Sequence, residues 1–260
     1  MMFGNETLWW EWSKHGVSRA GHFESSTAGL ASLAPARIND VVVPAMRSWR
    51  LYHFQDTSSS AYIKQIHNIN DNVYLRDDAR NLAAFLYRLK NHHVSHYERI
   101  VKTIRMVAPF FGDFHLRPTV ANSEKIQLEW MEVGHDEPFT ASVLSDGTLR
   151  FMCLATALLQ PEEFTPASMI FDEPEIGLHP FAIAVLAGMT QSVSQRRQLI
   201  VSTQSVELVN EFDAEDLIVV NKRARTSEVR RLEIEPLREW LEEYSLGELW
   251  KKNLLGGRPS

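Results

Sequence analysis

The chain has 260 residues, 44% apolar and 23% charged, with a net charge of −6 from 33 acidic and 27 basic side chains. That supplies a core for one large domain or two small ones, and the acidic balance argues against a general nucleic-acid-binding surface. A single cysteine, Cys153, excludes a disulfide framework; no apolar run is long enough for a membrane span, and the first residues lack the pattern of a signal peptide, so a cytoplasmic protein is expected.

In chain order, the aromatic stretch at residues 7–12 predicts a strand. Residues 13–37, rich in Gly, Ser and Ala, predict a loop, and residues 39–52 read as a short helix followed by a strand. Residues 56–60 form a polar turn. Leu82, Phe85, Leu86 and Leu89, then Ile100, Ile104 and Val107, recur at helical spacing. They predict two helices joined by a turn at residues 91–96 and ended by Pro109. The three histidines of that turn, His92, His93 and His96, have a spacing open to a metal, but no cysteine or carboxylate cluster joins them, and a solvated turn accounts for them. Ile126, Leu128 and Trp130 alternate with Gln127 and Glu129 and predict one half-buried strand.

The texture changes after Ser142. An apolar helix is expected at 149–159, a buried strand at 168–171, a helix at 180–192, a strand at 198–202, a helix at 206–212 and a third strand at 217–220. Strands alternating with helices over short links predict a parallel sheet with crossover helices. Residues 236–250 read as one or two amphipathic helices. The basic cluster at 222–225 reads as a hairpin loop.

Three blocks carry chemistry. Residues 168–173, Ser-Met-Ile-Phe-Asp-Glu, place two acids at the end of a buried strand. Burying carboxylates costs several kcal/mol unless they are paired or bind a metal. One could hold Mg2+, an ion that prefers oxygen ligands, and the next could polarise a water. Residues 144–148, Leu-Ser-Asp-Gly-Thr, open an apolar helix whose free N–H groups suit an anion. An ordinary capped helix start, with Ser145 or Asp146 as N-cap, has the same sequence. Residues 201–205, Val-Ser-Thr-Gln-Ser, end a strand in polar side chains. In parallel sheets ligands sit at such strand ends.

Together these blocks resemble the signature motif, the Walker B strand with its D-loop, and the switch segment of AAA_21-type predicted ATPases. That group lies in the ABC-ATPase superfamily, which also holds the RecF, SMC and OLD-type proteins. The resemblance is carried by residues 145–151, 170–180 and 201–205, with Gln204 where many ABC proteins have histidine. Residues 52–54, 78–87, 246–250 and 256–259 also read like the group. It implies an incomplete ABC-type P-loop NTPase core, an α/β fold with a parallel sheet and a helical insertion. Residues 1–75 would be a remnant of the core, 76–110 the insertion, and 111–260 the half with signature, Walker B, D-loop and switch.

By the same resemblance Asp172 would position Mg2+ and Glu173 would activate the attacking water, with Gln204 sensing or positioning the phosphate. Ser145, Asp146, Gly147 and Thr148 would contact ATP held by a second subunit, and His179 would lie at the dimer interface. The family's glycine-rich loop ending in Gly-Lys-Ser/Thr occurs nowhere in the 260 residues. A truncated ATPase and a shortened subunit that donates its signature face are both open, as is a binding module in DNA repair or phage defence. The expected partner is a second copy or a full-length ATPase; the net charge does not favour nucleic acid, and no membrane is expected.

Overall fold

The computed structural model describes residues 2–3, 6–13, 16–23, 49–223 and 226–256. The chain divides into two units, Met1–Arg50 with Pro166–Ser168, and Leu51–Thr165 with Met169–Ser260. The first contains an antiparallel meander of β1 (Met2–Phe3), β2 (Glu6–Ser13) and β3 (Gly16–Phe23). The strand expected at 7–12 is β2. Part of the loop expected at 13–37 is instead a strand: Gly16 pairs with Ser13, and the ladder runs on to Phe23. Small residues do not prevent pairing; they only remove the alternation by which pairing is recognised. The rest of that loop and the short helix expected before Trp49 lie outside the described residues, as do residues 257–259.

The second unit opens with the last two residues of β4 (Trp49–Tyr52) and then β5 (His67–Asn68). The two predicted helices follow as α1 (Leu82–His92) and α2 (Val94–Val107), and they meet at His93 in a tighter junction than expected. Each buries one stripe: Leu82, Phe85, Leu86 and Leu89 on the first, Tyr97, Ile100, Val101 and Ile104 on the second. Next come β6 (Phe111–Phe114), β7 (Pro118–Thr119), β8 (Asn122–Ile126), β9 (Glu129–Glu132) and β10 (Phe139–Thr140). The single strand expected through 126–130 is two. β8 pairs with β5 and β7, whereas β9 pairs with β6 and β10. The chain changes sheets at Gln127 and Leu128, where Gln127 Nε2 donates to the Lys64 carbonyl at 3.1 Å and the Leu128 carbonyl accepts from Ala141 N at 3.0 Å. All three apolar residues are buried as expected, but in two sheets.

The site-bearing part is a parallel sheet of three strands in the order β12–β11–β4, with β11 at Ser168–Asp172 and β12 at Gln198–Ser202. Helix α3 (Asp146–Leu159) precedes β11, α4 (Pro180–Ser194) connects β11 to β12, and the short α5 (Val206–Val209) follows β12. Every residue from Phe151 to Leu158 is buried. A helix apolar on all sides must be enclosed, and α3 packs against both α2 and α4.

The third strand predicted for the parallel sheet is a correction. β13 (Ile218–Arg223) pairs antiparallel with β14 (Thr226–Arg231) in a separate hairpin. Lys222 and Arg223, the described part of the basic cluster, end β13 in this hairpin, and residues 224–225 lie outside the described residues. A second core of Val209, Leu232, Leu246, Leu249 and Leu255 forms beside it. The C-terminal helical stretch is α6 (Arg238–Leu241) and α7 (Leu246–Lys251), the latter opened by a reciprocal cap between Ser245 and Glu248.

Asn81 is the buried polar residue that organises the approach to α1. Its Nδ2 donates to the carbonyls of Asp71 and Tyr74, both at 2.8 Å, and its Oδ1 accepts from Arg76 N at 2.9 Å. Asn81→Ala strands two carbonyls and an amide. It is expected to cost about 2–4 kcal/mol of stability, measured by urea denaturation.

Candidate functional site

The acids lie at the C-terminal end of β11, beside the end of β12. Asp172 is the last strand residue and is exposed; its Oδ1 accepts from Ser202 Oγ at 2.5 Å, and its Oδ2 lies 3.9 Å from His53 Nδ1. The next residue, Glu173, has φ +43, which a non-glycine residue adopts rarely and which marks functional turns. Its amide still donates to the Ser202 carbonyl at 2.9 Å. The turn directs the carboxylate to Gln204, whose Nε2 donates to Glu173 Oε1 at 2.7 Å.

A third acid is placed by the same strand pair. Glu175 is buried, at 7% exposure, and its Oε1 accepts from Thr203 Oγ1, which in turn accepts from Ser205 N at 2.9 Å. Glu175 Oε2 is buried with no partner. Burial pushes this carboxyl above its ordinary value, with the nearby Glu173 charge adding to the effect and the Thr203 hydrogen bond opposing it.

The start of α3 is built differently. Ser145 is the N-cap: its Oγ accepts from Thr148 N at 3.2 Å and lies 2.8 Å from Thr148 Oγ1. Asp146 is exposed in the first turn. Gly147 faces protein. A Cβ there would lie 2.2 Å from the Gly177 carbonyl oxygen, so the helix start and the loop after β11 touch backbone to backbone. Gly177 itself has φ +76. His179 is exposed and caps α4, its Nδ1 accepting from Phe181 N at 3.3 Å.

The structure therefore unites Asp172, Glu173 and Gln204 in one cluster, and joins Gly147 to the loop that carries Gly177 and His179. Ser145 and Thr148 are bonded to each other. Sequence reasoning gave no role to five residues that complete the arrangement: His53, Ser202, Thr203, Glu175 and Arg150. Arg150 Nη1 donates to the Ile176 carbonyl and Nη2 to the Gln55 carbonyl, both at 2.9 Å, so one guanidinium ties α3 to two loops. A usable signal existed for two of them: Glu175 lies two positions after Glu173, and Arg150 follows the helix start closely.

The donor set fits Mg2+ in one way. Among the described residues no three His, Cys, Asp or Glu side chains form a metal cage. Asp172 offers an exposed carboxylate steadied by Ser202, and Mg2+ is commonly held by one or two carboxylates together with waters and substrate phosphates. Beside it, a hollow of about 10 Å³ lined by Gln55, Arg150, Asp172 and Glu173 has the scale of one water.

A family model described as "AAA domain, putative AbiEii toxin, Type IV TA system" matches residues 9–210. Among solved structures, the chain is similar to an SMC ATPase from work on ATP-driven dimerization and DNA-stimulated activation, at 21% identity over 59% of this chain and 96% of that chain, TM-score 0.42. It is similar to an SMC head bound to the C-winged helix domain of ScpA, at 18% identity over 59% of this chain and 48% of that one, TM-score 0.44. An Smc head with coiled coil and joint from Pyrococcus yayanosii is 20% identical over 64% of this chain and 31% of that one, TM-score 0.45. In the last two the match spans less than half of the solved chain. Among the described residues no helix is long and apolar enough to cross a membrane.

Two outcomes are expected. Gly147→Ala places a methyl group against the backbone of Gly177, which has no side chain to yield, and costs about 1–3 kcal/mol in urea denaturation. For Glu175, the folded carboxyl holds its proton more tightly than the unfolded one, so the parent loses stability as pH rises from the unfolded value, about 4.3, through the raised folded value. The melting temperature of Glu175→Gln relative to the parent should therefore increase between about pH 4 and pH 7.

Proposed function

Because the chain belongs to the AAA-domain family whose model spans residues 9–210, a P-loop ATPase family of the ABC type, we propose that it supplies the hydrolytic and signature surfaces of an ATP site completed across a subunit interface. The single observation that carries this reading is the end of β11, where Asp172 and Glu173 are adjacent and each is held by a different residue at or just beyond the end of β12. Bound Mg2+ would screen charge on the transferring phosphoryl group. Asp172 would hold that ion through the oxygen that Ser202 leaves free. Glu173 would accept a proton from the attacking water, and the amide of Gln204 would fix its carboxylate in place. Phosphoryl transfer needs such positioning more than covalent chemistry.

The 260 residues contain no glycine-rich loop ending in Gly-Lys-Ser/Thr. We therefore assign the phosphate cradle to another segment or subunit, and the exposed start of α3, at Ser145 and Asp146, to the approach to nucleotide held by a partner. The partner is a second copy or a related ATPase with an intact phosphate loop. Residues 76–110 are read as a helical insertion between a core remnant at 1–75 and an ATPase half at 111–260.

The test is a pull-down of a family homologue that carries the phosphate loop and a Gln in place of its own hydrolytic Glu. Capture should depend on Mg-ATP and be lost in Ser145→Arg, while the 260-residue chain alone should turn over ATP at background. Equal capture with and without ATP would reduce α3 to a capped helix start. Steady turnover by the isolated chain, abolished in Glu173→Gln, would show that it needs no partner.

A further inference from the structure

At the other end of the parallel sheet lies a cavity of about 300 Å³, lined among others by His96, Arg99, Gln160, Arg196 and Arg197. That volume is at the lower end of small-molecule sites. Arg196 and Arg197 immediately precede β12, and Thr165, also in the lining, lies three residues before β11. Asp172 and Glu173 are at the opposite ends of those strands. Five residues of strand separate the two regions, roughly 16 Å.

The cavity concentrates positive charge. Arg197 lies 3.5 Å from Glu162 and donates Nη2 to the Glu162 carbonyl at 3.3 Å. Arg99 donates only to the Leu159 carbonyl, at 3.4 Å, and the Arg196 guanidinium has no hydrogen-bond or ion-pair partner among the described residues. Three guanidiniums therefore face one carboxylate. The neighbouring Glu163 is turned to His93, at 3.4 Å. Burial, and then the charges of Arg99, His93 and Arg196, push the His96 imidazole below its ordinary value, opposed by Glu163.

Two lining residues, Gln160 and Arg197, each keep one polar atom sealed from solvent and without a partner. Gln160 is 4% exposed, and its Nε2 is spent on the Ala157 carbonyl at 2.7 Å, which leaves Oε1 buried with no donor. Arg197 Nε is buried with no acceptor. Leu158 and Val193, both buried, add apolar wall.

We propose that this cavity binds a small phosphate monoester with an organic body, as a nucleoside monophosphate has. The guanidiniums of Arg99, Arg196 and Arg197 take the phosphate. The apolar wall of Leu158 and Val193 takes the body of the molecule. A bare phosphate would satisfy the arginines but fill little of the volume. The proposal does not depend on the reading of the acids at the far end of the sheet.

The test is calorimetric titration of the full chain with AMP, inorganic phosphate and a 5′-hydroxyl oligonucleotide at about 0.15 M salt. AMP should bind saturably and more tightly than phosphate. Arg99→Glu and Arg196→Glu, both at exposed positions, should weaken AMP by about tenfold or more without lowering the melting temperature. Glu162→Gln should tighten it, because it removes the carboxylate that competes for Arg197. No saturable AMP binding up to about 10 mM would overturn the proposal. So would AMP affinity indifferent to the three substitutions, or an oligonucleotide that binds more tightly than AMP.

Discussion

The candidate site depends on how the ends of β11 and β12 are tied together. Three acids lie at and just after the end of β11, and each takes a hydrogen bond from a different residue at or just after the end of β12: Asp172 from Ser202, Glu173 from Gln204, Glu175 from Thr203. The backbone bond from Glu173 N to the Ser202 carbonyl continues the pairing into the turn. Carboxylates this close repel one another, and only directed donors hold them together with a defined geometry. A slip of one residue between the strands would present the wrong face of β12 and remove all three donors at once. The register of two short strands therefore decides whether an acid cluster exists.

The three acids are not equivalent. Asp172 is exposed and held by one oxygen, which leaves the other directed toward solvent near His53. Glu173 is turned by an uncommon backbone conformation, which costs on the order of 1 kcal/mol or more and is sustained by its bonds to Ser202 and Gln204. Glu175 is buried, and its unmatched Oε2 makes it the most strained electrostatically. Its position under the turn, bonded to Thr203, suits it to shaping the loop from below. Arg150 acts on the same loop from the other side, since the Ile176 carbonyl it binds is the residue after Glu175.

Much of this was legible in the sequence, and the limits have physical causes. Strand ends, helix starts and the alternation from 146 to 209 announce themselves because apolar runs and caps are local. Asp172, Glu173 and Gln204 could be singled out on motif grounds, and the structure brings them together. The partners Ser202 and Thr203 lie within a quoted motif, yet nothing local says which acid each will face. His53 and Arg150 reach the site through contacts that no periodicity encodes. The misreadings have the same origin. The strand at 126–130 splits between two sheets because alternation records burial and not the identity of the neighbour, and β13 left the parallel sheet because a hairpin partner lay only a few residues on.

Gly147 shows how one residue satisfies two readings of unequal reach. A glycine at a helix start suggests room for a ligand, but here the space is filled by the Gly177 carbonyl of the same chain. The contact locks the start of α3 to the loop that follows the acids, and Arg150, one turn further along α3, locks the same loop at Ile176. Any movement of the acidic loop must therefore displace the start of α3, and the reverse. If Ser145 and the amides beside it meet an anion brought by a partner, the two glycines carry that event to the turn that aims Glu173. The coupling needs no flexible linker, only a backbone contact too close to admit a side chain.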